Sequence, residues 1–532
     1  MTVPHRDADE IRARLLSLRE GDLPTHGGRT LAYVYDSGIA EADDLGREAL
    51  AAYGSTNGLD PTAFPSLLTM ERDLVAFAKP LVHAPPEAVG TVTSGGTESV
   101  LLAVQTARDA RPDVARPLMV VPSTAHAAFH KAAHYFGVER VTVPVDPSTK
   151  RADVPATAAA LQEHGDRVVL LVASAPSYAH GVLDPVAELA GLALRHGTRL
   201  HVDACIGGWV LPWLERDGRV RHAWDFAVEG VTSISVDLHK YAYAPKGVSL
   251  LLHRTPELRR PQFFASADWP GYTMLNATLQ STKSGGPLAA AWAVVSYFGD
   301  GGYHALTRAA STATTALAAG IEATEHLSLA AEPDTTLLAV STDDACDVFT
   351  ISDAMLARGW FVQPQMAYAE LPATLRPFGD RIDLLADQKA ALLAIADLVT
   401  ETGADVVVRT ARQVTVDVNG EPLRLEFTLR SKGTEAVAIQ DPMAPQPLES
   451  LLRIMVGRVP DSKGRAPRPT SVISGATSWL TETCAKPSSR AIFASRTSWS
   501  GNAQPCIRTM ASASMPAART CPSCALALAS LS

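Results

Sequence analysis

Residues 235–247 read SVDLHKYAYAPKG, so that His239 stands against Lys240 and a second lysine, Lys246, follows just before a glycine. A lysine amine can form a carbon–nitrogen bond with an aldehyde-bearing cofactor when it faces inward, out of bulk water. Most lysines are instead solvated surface groups. Here the pair follows an apolar strand pattern, ISVD, and precedes an aromatic run, which favours an inward-facing Lys240.

Three further stretches could serve such a cofactor. Asp203, in RLHVDACIGGWV, ends an apolar run. Its carboxylate could hold a protonated ring nitrogen, or it could simply cap a helix, where Asp is favoured. SGGTES at 94–99 puts Gly95 and Gly96 at a strand end and Thr97 at a helix start. Backbone N–H groups there attract an anion such as a phosphate, although Thr97 with its following acid also reads as an ordinary N-cap. The stretch is neither a six-position dinucleotide fingerprint nor a Walker loop. His126, in PSTAHAAFHKAAHYFG, could stack on a flat aromatic ring; with His130 and His134 it could also form a helical stripe. No carboxylate support marks that stripe as a metal site, and no metal is expected. Anion cradle, imidazole, carboxylate and lysine together suit pyridoxal 5'-phosphate (PLP), whose ring accepts electrons best with its nitrogen protonated.

These residues need a frame that brings them together. Apolar runs at 88–94, 117–123, 140–145, 167–174, 199–204, 233–237 and 248–253 alternate with helical patterns such as 97–110 and 185–197. Near-continuous Val, Leu and Ile strands separated by helices predict an α/β fold, with a mostly parallel seven-stranded sheet covered by helices on both faces. Ligands of such sheets bind at the carboxyl ends of the strands, where every candidate above falls.

At this point the chain resembles the PLP-dependent group II decarboxylase family, and within it looks most like the sphingosine-1-phosphate lyases. The resemblance runs from about residue 25 to 368. It rests on YGSTNGLDPTAFPSLLTME, GTVTSGGTESVLLAV, TAHAAFHKAAHYFGV, SAPSYAHGVLDPV, LHVDACIGGWVLP, DFAVEGVTSISVDLHKYAYAPKGVSLLLHR and DWPGYTMLNATLQSTKSGGPLAAAWA. It implies the PLP-dependent transferase fold type I and a smaller α/β C-terminal domain. It implies Lys240 as the covalent anchor of PLP, His126 stacked on the ring, Asp203 at its nitrogen, and Gly95, Gly96, Thr97 and His239 around the phosphate. Gly285 and Gly286 match a loop reaching the phosphate of the neighbouring subunit, so a homodimer with composite active sites is expected. Tyr35 and Lys246 match residues at the substrate end that bind substrate and handle protons. Asn57 and Asp60 fall where the family reads Asn-Pro-Leu-His; here the stretch is Asn57-Gly58-Leu59-Asp60. A carboxylate in place of that imidazole would repel a substrate phosphate. The loop TKSGG likewise departs from the family's Arg-Pro-Gly-Gly.

The implied activity is cleavage of a carbon–carbon bond in a small-molecule amine, with release of an aldehyde. Amino-acid decarboxylation is the alternative, and PLP binding without turnover a second one. A net charge of −9 argues against a nucleic-acid partner. No apolar run is long enough to span a bilayer, and the charged N-terminus has no signal-peptide pattern, so a cytoplasmic protein without an integral membrane segment is expected. The organisation read from the chain is a helical segment at 1–50, a large PLP domain at 51–300 and a small domain at 301–400. An extension at 401–460 carries a hairpin signal at Asn419-Gly420. The tail at 461–532, rich in Ser, Ala, Pro, Arg and Thr, reads as disordered or as an altered reading frame. It holds four of the six cysteines; Cys521-Pro-Ser-Cys524 has no second pair with metal-site spacing.

Overall fold

Seven runs dense in Val, Leu and Ile form one sheet: β1 (Val89–Thr93), β2 (Leu118–Pro122), β3 (Glu139–Val143), β4 (Val168–Ser174), β5 (Arg199–Asp203), β6 (Val231–Asp237) and β7 (Ser249–His253). The computed structural model describes residues 5–343 and 345–377, and four further strands between residues 411 and 474, all within one unit, Met1–Gly475. The strand order is β1-β7-β6-β5-β4-β2-β3. The pairs from β6 to β3 run parallel, whereas β7 is antiparallel to both β6 and β1. Every residue of β2, β4 and β7 is buried, as expected of strands covered on both faces.

Register places two polar rows across the carboxyl end of this sheet. Ser174 pairs with Asp203 and Asp203 with Ser235. Two residues further on, Asp237 pairs with Ser249 and Ser249 with Thr93. The helices Gly96–Asp109 and Ala127–Phe136 start directly beyond β1 and β2, so their N-termini open on the same end.

A broken helix, Gly285–Glu322, leads away from the sheet; Gly299 interrupts it with φ 53°. A positive φ costs little without a Cβ, which explains glycine at the break. Before it lies a short hairpin, β8 (Phe264–Ser266) and β9 (Met274–Asn276). Beyond it, β10 (Leu327–Leu329), β11 (Val340–Thr342), β12 (Gln363–Gln365) and β13 (Thr374–Arg376) make an antiparallel sheet in the order β10-β11-β13-β12. Leu317, Ile321, Leu338, Val348, Met355, Trp360 and Leu375 form its core with Leu31 from the N-terminal segment. A third sheet contains β14 (Ala411–Val418), β15 (Glu421–Thr428), β16 (Arg453–Arg458) and β17 (Val472–Ser474). In it, β14 and β15 pair antiparallel across positions 419 and 420. The rest of 401–460 and of the 461–532 tail, with its four cysteines, lies outside the described residues.

The N-terminal pattern of Ile11, Leu15, Leu16 and Leu18 forms the helix Ala8–Leu18, capped by Asp7, and these side chains are exposed. Among the described residues no helix is long and apolar enough to cross a membrane.

Candidate active site

The carboxyl end of the large sheet holds a cleft lined by His126, Ser174, Pro176, Tyr178, Asp203, Cys205, Ile206 and Lys240, with about 370 Å³ of empty space. Lys240 follows β6 by three residues. Its side chain is about four-fifths buried, and its Nζ lies 2.8 Å from Oδ2 of Asp237, the last residue of β6. Burial alone would lower the lysine pKa; the Asp237 carboxylate, with Cys205 and Tyr35, more than reverses this and holds it raised. The same pair acts on the acid in the opposite sense. Burial pushes Asp237 up, and the Lys240 and His239 charges bring it below its ordinary value.

Asp203 ends β5 and accepts hydrogen bonds from Cys205 N (3.1 Å) and Ser235 Oγ (3.3 Å). Its oxygens are therefore oriented by the strand end, and it caps no helix. His126 is the N-cap of Ala127–Phe136, and its Nδ1 accepts from Ala128 N at 3.2 Å. That bond assigns the ring hydrogen of the neutral imidazole to Nε2 and removes His126 from any helical stripe with His130 and His134. Burial holds His126 below its ordinary pKa, so it presents a neutral ring. Tyr178 packs edge-on against that ring, with centroids 6.0 Å apart.

The turn SGGTES departs from the N-cap expectation. The cap is Gly95, at φ 151°, and Thr97 lies inside the first turn, exposed. Glu98 folds back, accepting from Ser94 N (2.6 Å) and Leu279 N (2.7 Å), which leaves the N–H groups of the first turn to face the cleft end of the sheet. A Cβ on Gly96 would fall 2.7 Å from Asp237 Oδ1 and 2.8 Å from Cys205 Sγ, so only glycine fits there. His239 stands beside this turn: its Cε1 would lie 3.4 Å from a Cβ on Gly95. Its Nδ1 bonds the carbonyl of Val248 at 2.7 Å.

At the mouth, Lys246 Nζ lies 4.7 Å from the centre of the Tyr35 ring and donates to the carbonyl of His239 at 2.9 Å. Burial raises the Tyr35 phenol to about 12, against the lowering charges of Lys240 and Arg376, so it stays protonated at neutral pH. The structure thus gathers Lys240, His239, Asp203, His126, Gly95, Gly96, Tyr35 and Lys246. Of these, Lys240, Asp203 and His126 line the cleft itself, and the others adjoin it through the contacts just given, whereas Asn57, Asp60, Gly285 and Gly286 neither line it nor make those contacts. Asn57 bridges Ser284, and Gly285 N donates to Thr56 O at 2.9 Å. Asp60 is exposed and turns its carboxylate onto Thr62, accepting from its N–H (2.8 Å) and its hydroxyl (2.7 Å).

Reading the sequence missed two features. Asp237 lies three residues before Lys240, the spacing of one helical turn, which is the signal that could have found it. Tyr178 is held from the second sheet: its hydroxyl donates to Gln363 Oε1 (2.7 Å) and accepts from Arg376, whose guanidinium lies 3.8 Å from the ring centre. That contact joins residues nearly 200 positions apart and has no local signature.

The donor set fits PLP. A buried lysine suits its aldehyde, an oriented carboxylate its ring nitrogen, a neutral imidazole its ring face, and a glycine-lined helix start its phosphate. Comparison with known proteins agrees. The pyridoxal-dependent decarboxylase conserved domain matches residues 37–342. Sphingosine-1-phosphate lyase 1 of Rattus norvegicus is 36% identical over 354 residues, 66% of this chain and 61% of that protein. The enzyme of the same name from Arabidopsis thaliana is 38% identical over 345 residues, 63% of this chain and 62% of that one. The chain therefore spans about three-fifths of the length of these relatives. Among solved structures, sphingosine-1-phosphate lyase of Burkholderia pseudomallei superposes with a TM-score of 0.70 at 31% identity, covering 76% of this chain and 93% of that one. Glutamate decarboxylase of Lactobacillus brevis shares the fold, with a TM-score of 0.66 at 20% identity. With the matched domain spanning more than half of its length and the donor set in place, the chain belongs to the pyridoxal-dependent decarboxylase family.

Proposed function

We propose that this protein is a PLP-dependent carbon–carbon lyase that cleaves an amine substrate and releases an aldehyde. The observation that carries the reading is the convergence of Lys240, Asp203 and His126 on one cleft, in a chain whose most similar relatives include sphingosine-1-phosphate lyases. PLP bound there supplies an electron sink for the carbanion left at the amine-bearing carbon.

The chain's own residues do the rest. Lys240 offers the amine that holds the cofactor. Asp203 keeps a positive charge on the ring nitrogen favourable, and His126 confines the ring from one face. Gly95, Gly96, Thr97 and His239 would hold its phosphate. Tyr35, protonated and in contact with Lys246, can donate a hydrogen bond or a proton to a substrate oxygen; Lys246, exposed beside it, adds a cation for an anionic substrate group. Asn57 and Asp60 belong to the substrate end of a composite site; Gly285 and Gly286, expected in a loop, instead open the helix Gly285–Glu322, whose start would serve the partner's phosphate. A homodimer is supported by Phe264, Trp269, Tyr272, Leu275 and Leu279, apolar side chains left 45–60% exposed on and after the hairpin β8–β9, with Phe264 and Leu275 on its opposite faces. Free cysteines at 205 and 346 are in keeping with a reducing cytoplasm.

Decarboxylation of an amino acid is the second reading. It is favoured by the matched domain, which is a pyridoxal-dependent decarboxylase conserved domain. Purified protein should be incubated with long-chain amino-alcohol phosphates and, separately, with amino acids, and assayed for aldehyde and for CO2. Aldehyde from the first set is the expected result; CO2 without aldehyde overturns the lyase reading.

A further inference from the structure

Asp237 has three properties that ordinary capping does not require. Its side chain is 2% exposed. Its Oδ2 faces two groups able to carry positive charge, Lys240 Nζ at 2.8 Å and His239 Nε2 at 3.6 Å. Its Oδ1 accepts no hydrogen bond among the described residues and is sealed in by the Gly96 turn, within 2.7 Å of where a side chain would begin. A buried carboxylate so placed depends on those neighbouring cations for compensation, because leaving it unpaired costs far more than pairing it gains.

We propose that Asp237 is a counter-ion shared by Lys240 and His239, and that positive charge passes to His239 whenever Lys240 gives up its own. The inference rests on the reading of Lys240 as the covalent anchor. To bond an aldehyde carbon, the lysine nitrogen must first lose a proton and expose its lone pair. Asp237 then faces no ammonium at 2.8 Å, and the nearest group that can replace it is His239. That ring is prepared for the role. Its Nδ1 lies 2.7 Å from the carbonyl of Val248, which can only accept, and 3.3 Å from Val248 N; the shorter contact assigns the ring hydrogen to Nδ1, so in the neutral ring Nε2 is bare and points toward Asp237. One proton leaves Lys240 and one proton arrives on His239 Nε2; the buried cluster keeps its net charge, and no redox partner is needed. The protonated ring would then stand beside the Gly95–Gly96 turn, where a cofactor phosphate needs a cation. Anchoring the aldehyde and gripping the phosphate would thus be a single coupled event.

The other titratable groups around the pair are Asp203, Cys205, Tyr35, His126 and Lys246. Burial, Lys246 and Lys240 hold the His239 ring below its ordinary range, and Asp237 opposes them. This matches a lysine that still carries its charge.

The test is histidine NMR on the full chain freed of cofactor, with the His239 ring assigned by His239→Gln. In the unaltered chain His239 should titrate below the ordinary range. In Lys240→Met, which keeps the length and removes the charge, its midpoint should rise by about 1–2 pH units, as expected for an opposite charge within 4–6 Å. Adding Asp237→Asn, or Asp237→Ser if the amide variant does not fold, should abolish that rise. An unchanged midpoint in Lys240→Met overturns the proposal, as does an equal rise without Asp237. Neither measurement uses substrate or cofactor, so failure here leaves the lyase reading to its own assay.

Discussion

At the residue scale the site depends on two carboxylates with different surroundings. Asp203 is oriented by a backbone N–H and a hydroxyl, and on the proposed reading it would face the ring nitrogen. Asp237 is committed to Lys240. Asp203→Asn keeps the shape and removes the charge, and should lower kcat by on the order of 10²–10³, as loss of one preorganised electrostatic contact does elsewhere. It should do so with the cofactor still covalently bound, which steady-state kinetics alongside visible absorbance would check. Gly96→Ala should behave differently. Its Cβ would enter the space of Asp237 and Cys205 at 2.7–2.9 Å, an overpacking that typically costs about 1–3 kcal/mol. Both thermal stability and PLP binding should fall, measured by calorimetry and by equilibrium dialysis.

At the element scale the sheet ends are held in register by a buried acid that takes no part in the chemistry. Asp184 accepts from Ala152 N and Ser174 N, each at 2.8 Å, tying the loop after β3 to the last residue of β4. Burial lifts its carboxyl to about 6, against the two N–H groups and Arg151, which lower it. Its folded pKa thus exceeds the unfolded value of about 3.9, so its favourable contribution is complete below pH ~4 and is lost as pH rises through about 6. Urea midpoints of the natural chain relative to Asp184→Asn should therefore drop between pH 4 and 6 and be flat above about 7. A difference that grows with pH would contradict this environment. Asp184→Ala strands two buried N–H groups and should destabilise at every pH, by about 1–3 kcal/mol for each group.

At the scale of the whole molecule, the apolar side chains left exposed on the hairpin β8–β9 and just after it are the ones a homodimer would bury. Phe264, Leu275 and Leu279 cover no core of their own chain. In a homodimer they would be buried, and the start of the helix Gly285–Glu322 would approach the other subunit. Phe264→Ser with Leu275→Ser should shift the protein from dimer toward monomer in analytical ultracentrifugation. Cofactor affinity should fall with dimer content, since a composite site is lost with its partner. A dimer unaffected by both changes would place the interface elsewhere.

The sequence by itself determined the seven strands and the residues at their ends. Buried parallel strands must be continuous runs of Val, Leu and Ile, and the residue types that terminate them are then conspicuous; Asp203, His126, Lys240 and the SGGT turn were legible for this reason. It did not reveal that the seventh strand runs antiparallel between β1 and β6, because an apolar run covered on both faces carries no sign of its direction. That insertion is what the tertiary structure decided. It brings Ser249 between Thr93 and Asp237, setting the Gly96 turn directly over the Asp237 carboxylate. Tyr178 likewise acquires its partners only when the second sheet delivers Gln363 and Arg376 to it. Strand identity is local, a property of side-chain pattern along a few residues. Strand order and the contacts between sheets are set by which surfaces bury one another, and that is decided only when the whole chain folds.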